Sequence, residues 1–147
     1  MTIDRLSGEG RSTWGFLVEL RRVRSDKVDN QVFSLAFVLI PYAENAIVDV
    51  RKLRGYCLNF DHNDGKHKAR LFLSILGMTA DNAEELCQIL LEVVKLHDVT
   101  LGRLDQFGQR YTLDFAIEWH NRNGILQSGW VIEHGSEIPK LTTCYPL

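Results

Sequence analysis

From Val50 to Leu96 apolar positions in this chain recur with a period near 3.6 residues, and after Leu96 with a period of 2. That change predicts amphipathic helices followed by half-buried strands. The first helix is expected from about Val50 to Leu58, where Val50, Leu53, Tyr56 and Cys57 fall at helical spacing behind an Asp49 N-cap. The second is expected from Gly65 or Lys66 to Leu76, with Gly77 as its stop. Projected at about 100° per residue, Ala69, Leu71, Phe72, Leu73, Ile75 and Leu76 form one broad face, and Lys66, His67, Arg70 and Ser74 lie opposite. Lys68 falls inside the apolar face, so its ammonium is aimed at the edge of the core or into a cleft. The third helix opens at TADNAEEL, where Asp81 and Glu84 have capping-box spacing, and continues through Leu86, Leu90 and Val94.

Beyond Leu96, HDVTLGRL, QRYTLDFAIEW, GILQSGWVIEH and PKLTTCY read as strands separated by the turns DQFG, NRNG and GSEIP. On the long strand, Tyr111, Leu113, Phe115, Ile117 and Trp119 share one face, and Arg110, Thr112, Asp114 and Glu118 the other. About three helices before a four-stranded antiparallel meander make an α+β fold, placed at residues 41–147 as a single domain. Upstream, residues 1–13 read as a mobile tail, and residues 14–40 as a hairpin or extension ended by Pro41. A helix competes with the strand reading for Trp14 to Leu20, and the hairpin either joins the sheet or packs separately.

Composition narrows the class. A chain of 147 residues that is 45% hydrophobic has enough apolar mass for one core. With 17 basic and 19 acidic residues the formal charge is −2, which excludes a uniformly basic coat, so any polyanion site is local. Cys57, Cys87 and Cys144 sit in apolar runs without a C-x-x-C pair, as buried thiols in a reducing compartment do. The acidic, polar start is no secretory signal, and the longest apolar run, Phe33 to Ile40, is too short for a membrane span. A soluble cytoplasmic protein without a cofactor is expected.

The stretch NFDHNDGKHKARLF concentrates candidate chemistry. None of the five histidines has the spacing of a metal motif, and DHNDG lacks the alternating carboxylates of a calcium loop, so no metal site is expected. His62 in the loop and Lys68 in the first helical turn are placed to converge, and a helix N-terminus near Gly65 would add backbone donors for a phosphate. The alternatives are a His62 bonded to its own turn and a Lys68 whose stem covers apolar surface. Arg110 reads either as a phosphate clamp or as a cross-strand ion pair with Asp114 or Glu133. Trp130 suits core packing better than base stacking. Thr142 and Thr143 point to opposite faces, and one of them could offer its hydroxyl to the polar side of the sheet.

The segments IPYAENAIVDVRKLRGYCLN, DHNDGKHKARLF, GQRYTLDF and GWVIEHGSEIPKLTTCY resemble a bacterial domain family of unassigned function. It occurs at the C-termini of polymorphic toxins and as stand-alone proteins. Its pattern reads Tyr-Leu-Leu-Asn, His-Pro-x-Gly-x-x-Lys-Ala, Gly-x-Arg-Tyr and Pro-Arg-Leu-x-Thr. The resemblance spans about Ile40 to Pro146, and Asn63 and Lys140 depart from the usual proline and arginine. The element order is also similar to the barnase, EndoU, colicin and RelE group of ribonucleases. What this likeness implies is a metal-independent RNA endonuclease. His62 would be its general base or acid, Lys68 and Arg110 would stabilise the pentacoordinate phosphate, and Thr143 would orient a phosphate oxygen. Asn59, Tyr111, Trp130 and Lys140 would contact the RNA. The competing expectation is a non-catalytic module that binds a small antitoxin or immunity-like protein, and a third is an inactivated toxin relative.

Overall fold

The computed structural model describes residues 38–147. The expected tail and all but the last three residues of the expected hairpin lie outside them. A single 3₁₀ turn, Ala43–Asn45, follows Pro41, and Ile47 then pairs in parallel with Lys140. Three helices come next. α1 starts as Val50–Lys52 and widens into a π turn, Leu53–Cys57, with the Asp49 carboxylate accepting from the Arg51 amide as its N-cap. α2 runs through Lys66–Leu71 and ends in a second π turn, Phe72–Leu76, where Gly77 takes the left-handed conformation at φ 70°. α3 is Ala83–Leu96, entered through a 3₁₀ turn, Ala80–Asn82. The capping box belongs to Thr79 and Asn82 rather than Asp81 and Glu84, because the chain turns two residues earlier than the spacing of the acids suggested.

Four strands complete the domain: β1 Thr100–Leu104, β2 Gly108–Trp119, β3 Arg122–Glu133 and β4 Pro139–Pro146. They form an antiparallel sheet in the order β1-β2-β3-β4, the meander that the alternation predicts. The β2–β3 turn is centred on His120 and Asn121, at φ 48° and 68°, as a two-residue hairpin turn requires. Gly124, expected in that turn, instead lies within β3. A Cβ there would stand 3.1 Å from the Ile75 side chain, so the glycine lets the end of α2 approach the sheet.

The helices cover one face of the sheet. Leu113, Phe115 and Ile117 of β2, Leu126 and Trp130 of β3, and Leu141 and Cys144 of β4 are buried there with Leu53, Phe72, Leu76, Leu86 and Leu90 from the helices. Each such side chain removed from water is worth about 1.5–3 kcal/mol. Within α2 only Ala69, Phe72 and Leu76 are buried, and Leu71 and Leu73 are exposed, so the buried stripe is narrower than the projected one. Ser128 is the one buried polar residue among the described residues, and its hydroxyl donates to the Leu113 carbonyl while accepting from Trp130 Nε1, both at 2.9 Å. No helix among the described residues is long and apolar enough to cross a membrane.

Candidate functional site

Tyr56, at the end of α1, holds together the loop that carries the candidate chemistry. Its ring meets the His62 ring edge-on at 4.9 Å between centroids. Its hydroxyl oxygen accepts a 2.9 Å hydrogen bond from Lys68 Nζ. Its backbone carbonyl packs against Gly65, where a Cβ would stand 2.8 Å from the carbonyl carbon and closer still to the oxygen. Residues 56, 62, 65 and 68 therefore form one structural unit, and the spacing His-x-x-Gly-x-x-Lys follows from it.

His62 closes the loop onto itself. Its Nδ1 accepts from the amides of Asp64 and Gly65, at 3.1 and 3.0 Å, and its carbonyl accepts from Lys66 N at 3.0 Å. Two donors aimed at Nδ1 make it the lone-pair nitrogen, which leaves the proton of the neutral ring on Nε2. The amides of Asp64, Gly65 and Lys66, at the entry to α2, are thus already used by His62 and are not open to a phosphate.

Lys68 is half-buried. Besides Tyr56, whose ring centroid is 4.9 Å from Nζ, it meets the Tyr145 ring at 5.7 Å. No carboxylate pairs with it among the described residues. Tyr145 belongs to β4 and lies on the sheet face turned away from the helices, so the lysine reaches past the β4 edge. There the Tyr145 hydroxyl donates to Gln127 Oε1 at 2.7 Å. Thr143, two residues earlier on the same face, has an enclosed Oγ1 with no hydrogen-bond partner among the described residues. It stands across from Gly129.

Arg110 lies elsewhere. The register places Arg110, Val131 and Lys140 in one row across β2, β3 and β4, and Gln127 and Tyr145 in another, four residues along β3. Four residues of strand span about 13 Å. Arg110 and Lys68 therefore do not share one phosphate-sized site. Neither expected ion pair of Arg110 forms: its Nε binds Asp105 Oδ2 at 2.9 Å, and Glu133 pairs with Lys140 at 3.3 Å. Asp114 is two pleats away along the same strand, too far for the contact. The Phe107 and Gly108 amides and the guanidinium groups of Arg110 and Arg103 hold the Asp105 carboxyl well below the usual carboxylate range.

The remaining expected residues are structural in their contacts. Asn59 bonds the Gly55 carbonyl and the Asp61 amide, tying off α1. Trp130 is fully buried, so it leaves no ring face for a base, and the core-packing alternative holds for it. Tyr111 is half-buried on the helix-covered face, opposite Trp130. Burial pushes the thiols of Cys57 and Cys144 up, and both are free. Among the described residues, no three of His, Cys, Asp and Glu come together as a metal site. Neither Tyr145 nor Gln127 belongs to a motif in the sequence. The signal for Tyr145 was its alternation with Thr143 on β4, and nothing local marked Gln127.

Residues 39–147 match the domain of unknown function DUF6883, and the chain belongs to that family. Among solved structures, a chain of the contact-dependent growth inhibition toxin–immunity protein complex from Klebsiella pneumoniae 342 is similar. The TM-score is 0.53 at 14% identity, over 69% of this chain and 100% of that one. At that identity the likeness is one of fold. No curated protein matches.

Proposed function

From this family membership and this geometry, we propose that the domain is a toxin-type RNA endonuclease that works without a metal ion, with Lys68 at the scissile phosphate. The observation that carries the reading is the Lys68 ammonium, held by Tyr56 and Tyr145 at the β4 edge with no carboxylate to neutralise it among the described residues. An ammonium has three donors, and one goes to Tyr56. Two are left for phosphate oxygens, where they stabilise charge that develops in the transition state. His62 contributes Nε2–H as a donor and holds the loop, and Thr143 stands two residues from Tyr145 on the same strand, its Oγ1 enclosed and so not itself in reach of a phosphate. The motif likeness to domains at the C-termini of polymorphic toxins and the fold likeness to a chain of a toxin–immunity complex support the same reading.

Purified protein should cleave RNA in the presence of a chelator, and Lys68→Met should lower the rate at least a hundredfold with an unchanged thermal midpoint. Undiminished cleavage by a folded Lys68→Met protein refutes the assignment.

A second reading, a module that binds a small immunity-like protein, draws on a separate observation. Leu96, Leu101, Leu104 and Phe107 are exposed along the β1 edge of the sheet. Apolar surface of this kind marks partner contacts. A stoichiometric partner that co-purifies with the chain, while Lys68→Met changes no activity on RNA, would favour this reading over the enzyme.

A further inference from the structure

The turn between β1 and β2 gathers two arginines on one carboxylate. Arg103 Nε and Arg110 Nε both donate to Asp105 Oδ2, each at 2.9 Å. Asp105 is itself fixed, since its other oxygen accepts from the amides of Phe107 and Gly108 at 2.9 and 3.3 Å. His134 locks the turn to the end of β3, donating its amide to the Phe107 carbonyl and placing Nε2 2.8 Å from the Asp105 carbonyl.

Strict alternation would put Arg103 and Arg110 on opposite faces of the sheet. The pairing Leu101↔Tyr111 is followed by Leu104↔Gln109, so Gly102 and Arg103 together oppose Arg110. This is a β-bulge, and it turns Arg103 toward the Arg110 side. Gly102 is the residue that fits there, because a Cβ would come within 3.1 Å of the Arg110 carbonyl oxygen.

Two guanidinium groups against one carboxylate leave a net positive charge. Both are held through Nε, so the terminal nitrogens of each have no protein partner among the described residues. Arg103 is 74% exposed, and the Phe107 ring beside Arg110, 5.6 Å from its guanidinium carbon, is exposed as well. Paired forks with free terminal nitrogens match the oxygens of a phosphodiester.

We infer that Arg103 and Arg110, hinged on Asp105, form a clamp for a backbone phosphate of single-stranded RNA. The inference rests on the reading of the domain as an RNA endonuclease and adds a binding subsite to it. The clamp lies about 13 Å along the sheet from the row that holds Tyr145, so it takes a phosphate other than the one at Lys68. It holds the strand and does no chemistry.

The test uses the full chain and a 2′-O-methylated single-stranded RNA, which binds without being cut. Affinity is measured by fluorescence anisotropy over a range of salt concentrations. Arg103→Gln should weaken binding about tenfold and lower the salt slope by about 0.7, the share of one single-strand phosphate. A deoxyribose strand of the same sequence should lose affinity in parallel, as a phosphate contact demands. The thermal midpoint should be unchanged, because Arg103 is exposed. Equal affinity and slope in the variant overturn the clamp, as does wild-type protein that binds neither strand. If unmodified RNA is cut in a Lys68-dependent way while Arg103→Gln binds like wild type, the clamp fails and the endonuclease reading stands. If binding depends on Arg103 while unmodified RNA is not cut, the clamp stands and the endonuclease reading fails.

Discussion

Gly65→Ala is the substitution for which local propensity and tertiary packing predict opposite signs. Gly65 has φ −84° and ψ −17°, a conformation open to any L-residue. By unfolded-state entropy alone, alanine there should stabilise the protein by about 0.4–1 kcal/mol. The packing says otherwise, because the added Cβ would stand 2.8 Å from the Tyr56 carbonyl carbon and closer to its oxygen, both of them backbone atoms. Neither side can rotate away, so loop and helix must separate. Overpacking of this kind costs about 1–3 kcal/mol. Displacing the two amides bonded to His62 Nδ1 costs about 1 kcal/mol more, the worth of a helix cap. Set against the entropy gain, the net loss is about 1–3 kcal/mol. With a denaturant slope near 2 kcal/mol/M, that lowers the urea midpoint by about 0.5–1.5 M. Urea titration followed by far-ultraviolet circular dichroism reads the shift. His62→Ala should cost less in the Gly65→Ala background than in wild type, since both act on the same two bonds. A Gly65→Ala midpoint at or above that of wild type would refute the account of the loop as a unit built on Tyr56.

Other expectations follow from the same contacts. Ser128→Ala leaves Trp130 Nε1 buried without an acceptor and should cost about 2–4 kcal/mol, measured by the same titration. Tyr56→Phe removes the acceptor of Lys68 but keeps the ring against His62. It should leave stability within about 1 kcal/mol of wild type while lowering RNA cleavage, and unchanged cleavage would remove Tyr56 from the site. The depressed Asp105 carboxyl contributes stability that is present above the unfolded value of about 4 and lost as pH falls through the lower folded value. The acid limb of the stability curve should therefore flatten in Asp105→Asn, and an unaltered acid limb would contradict the turn's role. The raised thiols act in the opposite sense, favouring the folded state below the unfolded value of about 8.5 and losing that contribution as pH rises beyond it. Cys57→Ala with Cys144→Ala should show a shallower loss of stability above pH of about 8.5.

The sequence by itself determined the secondary structure and the fold class. Periods of 3.6 and 2 arise from burying one face of a local element, so α1 to α3 and the four strands could be read from windows of ten to fifteen residues. Asp49 as a cap and Gly77 as a stop were legible for the same reason, each acting within a few positions of itself. Local signals mislead where two neighbouring sets of residues can make the same cap or turn. Thr79 and Asn82 formed the capping box in place of Asp81 and Glu84, and His120–Asn121 formed the hairpin turn, short of Gly124, the glycine that seemed to mark it.

Only the tertiary structure decided what the candidate residues touch. Helical projection turned Lys68 inward, but its partners lie twelve residues back at Tyr56 and on β4 at Tyr145, and nothing in a local window marks either contact. Whether His62 keeps its Nδ1 lone pair free depends on how the chain from Asp64 to Gly65 folds back, and Gly65 sets that by closing against Tyr56. Arg110 found Asp105 rather than Asp114 because a strand separates residues on one face by whole pleats, while a turn folds five positions into contact. Arg103 joined it through a one-residue bulge, a shift of register that reverses the facing of a side chain and leaves no trace in the alternation of the strand.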